Sequence, residues 1–263
     1  MPRIVMAVAY LGDQYHGWQC QPNHLSVQTV LEKAIAKVAN HEVKVACAGR
    51  TDAGVHALMQ VIHFDSEANR SEQQWCLGVN ALLPNDVVVS WVRFTCDEFH
   101  ARFSASARQY TYLIDNALQP QMFWLGRAIW QAKPLDHEAM HVAAQHWIGE
   151  FDFSSFRGSG CQSSTPMRCV QNFSVQRQGD LLVLQVTANA FLYHMIRNFV
   201  GVLLPIGHGK KESNFARWVL MQKNRKLAGV TAPAHGLYLS QVFYPEKFDL
   251  SDYGQSLPLG LNV

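Results

Sequence analysis

The six cysteines, at positions 20, 47, 76, 96, 161 and 169, form no Cys-x-x-Cys pair and no metal-type spacing. That excludes the common zinc-ribbon and dithiol redox arrangements and leaves reduced packing thiols, the usage of a cytosolic protein. Charge is sparse as well. Only 16% of residues are charged and the net balance is +2, so no whole-chain excess of one sign announces a partner. A long apolar run is also missing. The best stretch, residues 191–206, is interrupted by His194, Arg197, Asn198 and Pro205, which fits a buried core helix and not a bilayer span. No basic-plus-apolar leader precedes the first strand, so export is not expected and the chain is placed in the cytoplasm.

What is present is enough for one large core or two medium ones: 263 residues, 48% of them hydrophobic. The charges are unevenly spread. Residues 51–100 carry seven acids against two bases, whereas residues 101–226 carry fourteen bases against seven acids. Polyanion binding depends on such local excess and not on the total. Lys210, Lys211, Arg217, Lys223, Arg225 and Lys226 are candidates for phosphate contacts, with an ordinary solvated helix face as the plain alternative.

Periodicity predicts strand 3–10, helix 26–39, strand 43–48, strand 58–65, helix 71–82 and strand 87–94 in the first half. Ser26 is positioned to cap the first helix, whose Val27, Val30, Leu31, Ile35 and Val38 make one apolar stripe. The second half reads strand 109–114, a helix at about 136–147 capped by Asp136, a hairpin of strands 170–177 and 181–188 around Gly179-Asp180, an apolar helix from about 190, a basic helix near 213–223 and a closing strand 237–243. The expectation is an α+β protein of two related subdomains with largely antiparallel sheets: 1–105, 106–247, and a flexible tail over 248–263.

Between two of these strands lies Cys47-Ala48-Gly49-Arg50-Thr51-Asp52-Ala53-Gly54-Val55-His56-Ala57. A carboxylate, a guanidinium and two glycines crowd one turn, where glycine permits sharp reversal or close approach. An isolated Arg-x-Asp-x-Gly would be read as an Asx-turn beside a surface ion pair. Here further blocks accompany it: Tyr10-x-Gly12-x-x-Tyr15-x-Gly17-Trp18-Gln19, Phe99-x-Ala101-Arg102-Phe103-x-Ala105, Arg108-x-Tyr110-x-Tyr112, Asp152-Phe153-x-Ser155-Phe156, Ala190-Phe191-Leu192-x-x-Met195-x-Arg197-Asn198 and Gly236-Leu237-Tyr238-Leu239. In content and order they resemble the tRNA pseudouridine synthase A family, over nearly everything from residue 3 to about 245.

The resemblance implies two subdomains meeting at a central basic cleft, a cofactor-independent and metal-free isomerisation of uridines 38, 39 and 40 in the tRNA anticodon stem-loop, and a homodimer. It also implies residue roles. Asp52 would be the nucleophile, Arg50 the wedge that displaces the target nucleotide, and Tyr110 the ring that stacks on its uracil. Arg197 would be the cation that keeps Asp52 ionised. Part of that last role is visible without the family, because a guanidinium in a helix apolar on nearly all sides is expected to be buried, and a buried one demands an anion and hydrogen bonds. Tyr112 shares a strand face with Tyr110, so core packing and base stacking cannot be divided between them at this point.

His137-Glu138-Ala139-Met140-His141 competes for notice, since H-E-x-x-H is the zinc-metalloprotease pattern. No third ligand at a recognisable spacing accompanies it, and it lies outside every block of the resemblance. His16, His56 and His194 fall in or beside those blocks and read as hydrogen-bonded structural histidines. A non-catalytic RNA-binding protein on the same scaffold is the remaining alternative, and Asp52 in its full setting argues against it.

Overall fold

A computed structural model describes residues 1–250. The chain is a mixed α+β protein whose described residues divide into two compact units, one formed by 1–106 with 238–250, the other by Ala107–Leu237. The closing strand, counted with the second half by sequence order, therefore clusters with the first unit. The expected tail lies almost wholly outside the described residues.

In the first unit, strand β1 (Arg3–Tyr10) runs antiparallel to both β3 (His56–Asp65) and β4 (Val87–Thr95). A short β2 (Ala46–Cys47) pairs with β3, and β10 (Leu237–Phe243) joins β3 in parallel through Tyr238 and Leu239. Burial on both faces explains the near-continuous apolar sequence of β1, in which Ile4 to Val8 are all buried. Helix α1 (Val27–Ala39) starts where expected because the Ser26 hydroxyl accepts the Thr29 amide, a cap worth about 1 kcal/mol. Val27, Leu31, Ala34 and Ile35 form its buried stripe. Helix α2 (Glu72–Asn80) opens with a reciprocal Ser71–Gln74 capping box.

In the second unit, β5 (Ala107–Asp115), β9 (Leu181–Ala188), β8 (Met167–Gln178) and β7 (Gly149–Asp152) form an antiparallel sheet in that order, with short β6 (Ile129–Trp130) parallel to β5. Helix α3 (His137–Gln145) is capped by Asp136. Trp147, Phe153, Phe156, Phe173 and Phe199 make an aromatic core, with ring centroids 4.5–6.0 Å apart. Helix α4 (Met195–Gly207) rises from this core, and α5 (Asn214–Gln222) follows. α4 begins five residues later than expected, since His194 has φ +59°, a left-handed conformation no helix residue adopts. No helix among the described residues is long and apolar enough to cross a membrane.

Candidate active site

The loop from Ala48 to Val55 is fastened from three sides within the first unit. Its entry is held by Gln60, a fully buried amide in the middle of apolar β3. The Gln60 side chain donates to the Gly49 carbonyl and its Oε1 accepts the Gly49 amide at 3.3 Å, imitating a strand partner. At the centre, the Trp18 amide donates to the Thr51 carbonyl (3.0 Å), and the Tyr10 and Thr51 hydroxyls share a buried bond of 2.7 Å. At the exit, the Val55 amide closes a turn onto the Asp52 carbonyl, and fully buried His56 accepts the Gly12 amide through Nδ1 at 2.9 Å. The His56 ring also stacks on Tyr238 at 4.7 Å. Three sequence blocks thus meet in one place, and His56 has the structural role expected of it.

Gly17 shows why the opening block needs glycine. Its φ is +88°, and an added β-carbon would stand 2.6 Å from the Thr51 carbonyl oxygen. Only a residue without that carbon lets the segment 15–18 lie against the backbone of Thr51 and Asp52. The loop is therefore placed by backbone contacts on a fixed support, as a site that must hold one carboxylate in one position requires. Asp52 is half-buried and Arg50 is exposed on the same loop. Beneath them, burial pushes the Cys47 thiol up to about 11 even though Arg50 and Arg102 both favour its ionised form. That thiol stays protonated at neutral pH and is not a competing nucleophile.

Tyr110 and Arg197 belong to the second unit. Tyr110 is 8% exposed and meets Phe191 edge to face at 5.1 Å. Tyr112, on the same strand, is completely buried and its hydroxyl donates to the Pro233 carbonyl at 2.7 Å. The ambiguity left by the sequence is thereby removed for Tyr112, which is a core residue. Arg197 is half-buried, not enclosed as the apolar helix implied. Its Nε donates to the Ala232 carbonyl (2.6 Å) and its Nη1 to His194 Nε2 (3.2 Å).

The surroundings of Arg197 explain two further blocks. Asn198 is fully buried and donates to the Phe156 carbonyl at 2.7 Å, while its Oδ1 accepts from Arg225 and Thr231. Arg225 also donates to the Gly229 carbonyl, so it helps to fix the 229–231 segment. Ser155 bridges the Val219 carbonyl and the Asn224 amide. Gly201 lets α4 touch this segment, since a β-carbon there would overlap the Val230 carbonyl. The next residue, Ala232, supplies the carbonyl that accepts from the Arg197 guanidinium.

This sequence matches the family model described as tRNA pseudouridine synthase over residues 6–104 and 143–245. It is 49% identical over 249 residues to tRNA pseudouridine synthase A of Vibrio parahaemolyticus serotype O3:K6 (strain RIMD 2210633), covering 94% of each chain. It is 49% identical to the protein of that name from Legionella pneumophila (strain Lens), over 94% of this chain and 95% of the relative. Against that of Coxiella burnetii (strain Dugway 5J108-111) the identity is 48%, over 99% and 98%.

The chain belongs to the tRNA pseudouridine synthase family.

In this synthase, three supporting residues carry signals of their own. Gln60 is a polar side chain inside an apolar strand, which is costly unless its amide is matched. Tyr10 ends β1 with a hydroxyl that a core position would not need. His194 was read only as structural, and its contact with Arg197 makes it the neighbour that orients that guanidinium. The H-E-x-x-H helix behaves differently: His141 Nδ1 accepts the Val175 amide (3.2 Å), and among the described residues no group of three His, Cys, Asp or Glu is arranged to hold a metal.

Proposed function

We propose that this isomerase converts uridines 38, 39 and 40 of the tRNA anticodon stem-loop to pseudouridine, with Asp52 as nucleophile and no cofactor. The reaction breaks the bond between ribose C1′ and uracil N1, rotates the base and joins C1′ to C5, while C5 loses a proton and N1 gains one. Atoms and electrons balance without a redox partner. Attack by the carboxylate on ribose C1′ would displace uracil N1 and hold the ribose while the detached base turns, whereas addition to the uracil ring would hold the base itself. An aspartate shielded from water is a poor nucleophile unless a cation favours its ionised form, and Arg197 is assigned that task. Arg50 is assigned to evert the nucleotide, which costs a few kcal/mol. Tyr110 is assigned to stack on the uracil, worth about 1–3 kcal/mol.

The observation that carries this reading is the backbone clamp on the loop of Arg50 and Asp52, since it sets the peptide that carries both residues on a rigid support. Activity at three adjacent positions fits recognition of RNA shape, not of local sequence. We propose a homodimer in the cytoplasm. In support, Met122 and Phe123, about four-fifths exposed, lie on a surface turn and not in the core. The deciding experiment maps pseudouridine in an unmodified tRNA transcript after incubation with wild type or Asp52→Ala. Product at 38–40 with wild type only is expected. Product elsewhere, or product with Asp52→Ala, would refute the assignment.

A further inference from the structure

Helix α5 presents an open surface hollow of about 630 Å³ whose lining includes none of Asp52, Arg50, Tyr110 and Arg197. Its walls are Lys210 and Lys211 from the preceding turn and Phe215, Arg217, Trp218 and Met221 from the helix. Trp218 is 46% exposed and Met221 64%, an apolar display that solvated helix faces do not ordinarily carry. The rings are ordered. Phe215 and Trp218, three residues apart, lie nearly parallel with centroids 5.6 Å apart, and the Lys211 ammonium stands 5.0 Å over the Phe215 ring. Glu212 is the sole acid in the lining, and its carboxylate accepts from Asn214.

We propose that this surface is an RNA subsite, in which the Trp218 ring stacks on an unpaired base of the tRNA while Lys210, Lys211 and Arg217 take its flanking phosphates. The proposal rests on the tRNA substrate assigned above. Its chemistry is the pairing on which single-stranded nucleic acid is held, a π-face beside a cluster of fixed cations. The cavity is within the range that accommodates a ligand of nucleotide size, about 300–1,000 Å³. Charge argues against a second copy of the chain as occupant. A twofold contact centred here would bring Lys210, Lys211 and Arg217 against their own images, with one glutamate per chain to offset them.

The test measures the affinity of full-length protein for an unmodified tRNA transcript across a salt series, with sedimentation of the free proteins in parallel. Trp218→Ala should weaken binding about 5- to 150-fold, the range of one base–aromatic stack, and Trp218→Phe should recover most of it. Lys210→Ala/Lys211→Ala should flatten the slope of log affinity against log salt by about 1–2. Wild-type affinity and slope in these variants would overturn the subsite, and so would a change of oligomeric state in Trp218→Ala. Because the readout is affinity and not product, it stands apart from the isomerase assignment. That assignment fails separately if wild type forms no pseudouridine in the same transcript.

Discussion

Gly17 lies against Thr51 so closely that one methyl group cannot be inserted, with 2.6 Å separating an ideal β-carbon from the Thr51 carbonyl oxygen. The neighbouring Trp18 amide donates to that same oxygen. A chain segment some 30 residues earlier in sequence therefore sets the height of the peptide that carries Asp52.

Gly17→Ala should test this support. A side chain at φ +88° costs about 1–3 kcal/mol, and the overlap can be relieved only by moving Thr51 and Asp52 or the 15–18 segment. Single-turnover formation of pseudouridine should fall at least tenfold, while affinity for tRNA stays close to wild type. Full turnover in the variant would show that Asp52 does not depend on this contact.

Tyr110 and Tyr112 should separate in mutagenesis. Tyr112→Phe removes the donor to the Pro233 carbonyl and should lower stability by about 1 kcal/mol in chemical denaturation. Tyr110→Phe divides two roles: stacking survives the loss of the hydroxyl, proton transfer does not. Tyr110→Ala should abolish turnover in either case. Retained turnover in Tyr110→Ala would remove this residue from the site.

The elements were legible because their signals are local. The Ser26 and Asp136 caps, the Gly179-Asp180 turn and the alternation of β5 each act within a few residues. The short strands β6 and β7 were not, since two to four residues carry no period and pair only when the partner strand is present. The late start of α4 follows from a left-handed His194 that apolar composition cannot reveal. At the site, the resemblance marked Asp52 and Arg197 as residues, but not the supports. Gln60 holding Gly49, and Arg225 holding Asn198, join positions 11 and 27 apart through side chains. Such contacts exist only once the chain is folded.

His63 makes stability depend on pH. Burial, followed by the neighbouring His100 ring and Arg3, holds its imidazole down at about 4, whereas the unfolded chain protonates near 6.5. Between these values the unfolded state binds a proton that the native state refuses. Stability should therefore be full above about pH 6.5, decline as pH falls towards 4, and level off below. Urea titrations from pH 7 to pH 4 should show the decline, and His63→Gln should flatten it. An unchanged slope in His63→Gln would assign the effect to other groups.

His194 and Arg197 offer the sharpest test of the cation. A guanidinium only donates, so His194 Nε2 must be the acceptor and the ring must be neutral where they meet. With the Ala232 carbonyl on Nε, two acceptors fix the plane of the guanidinium. Arg197→Lys keeps the charge but cannot reproduce a planar fork, and it should lose on the order of 10²-fold in single-turnover rate, the usual cost of removing one oriented electrostatic partner. His194→Ala keeps the guanidinium but removes one of its acceptors, which should cost less, about tenfold. His194→Gln restores an acceptor and should recover part of that loss. If Arg197→Lys and His194→Ala both turned over at the wild-type rate, Arg197 would be a structural residue, and the cation that keeps Asp52 ionised would have to be sought elsewhere.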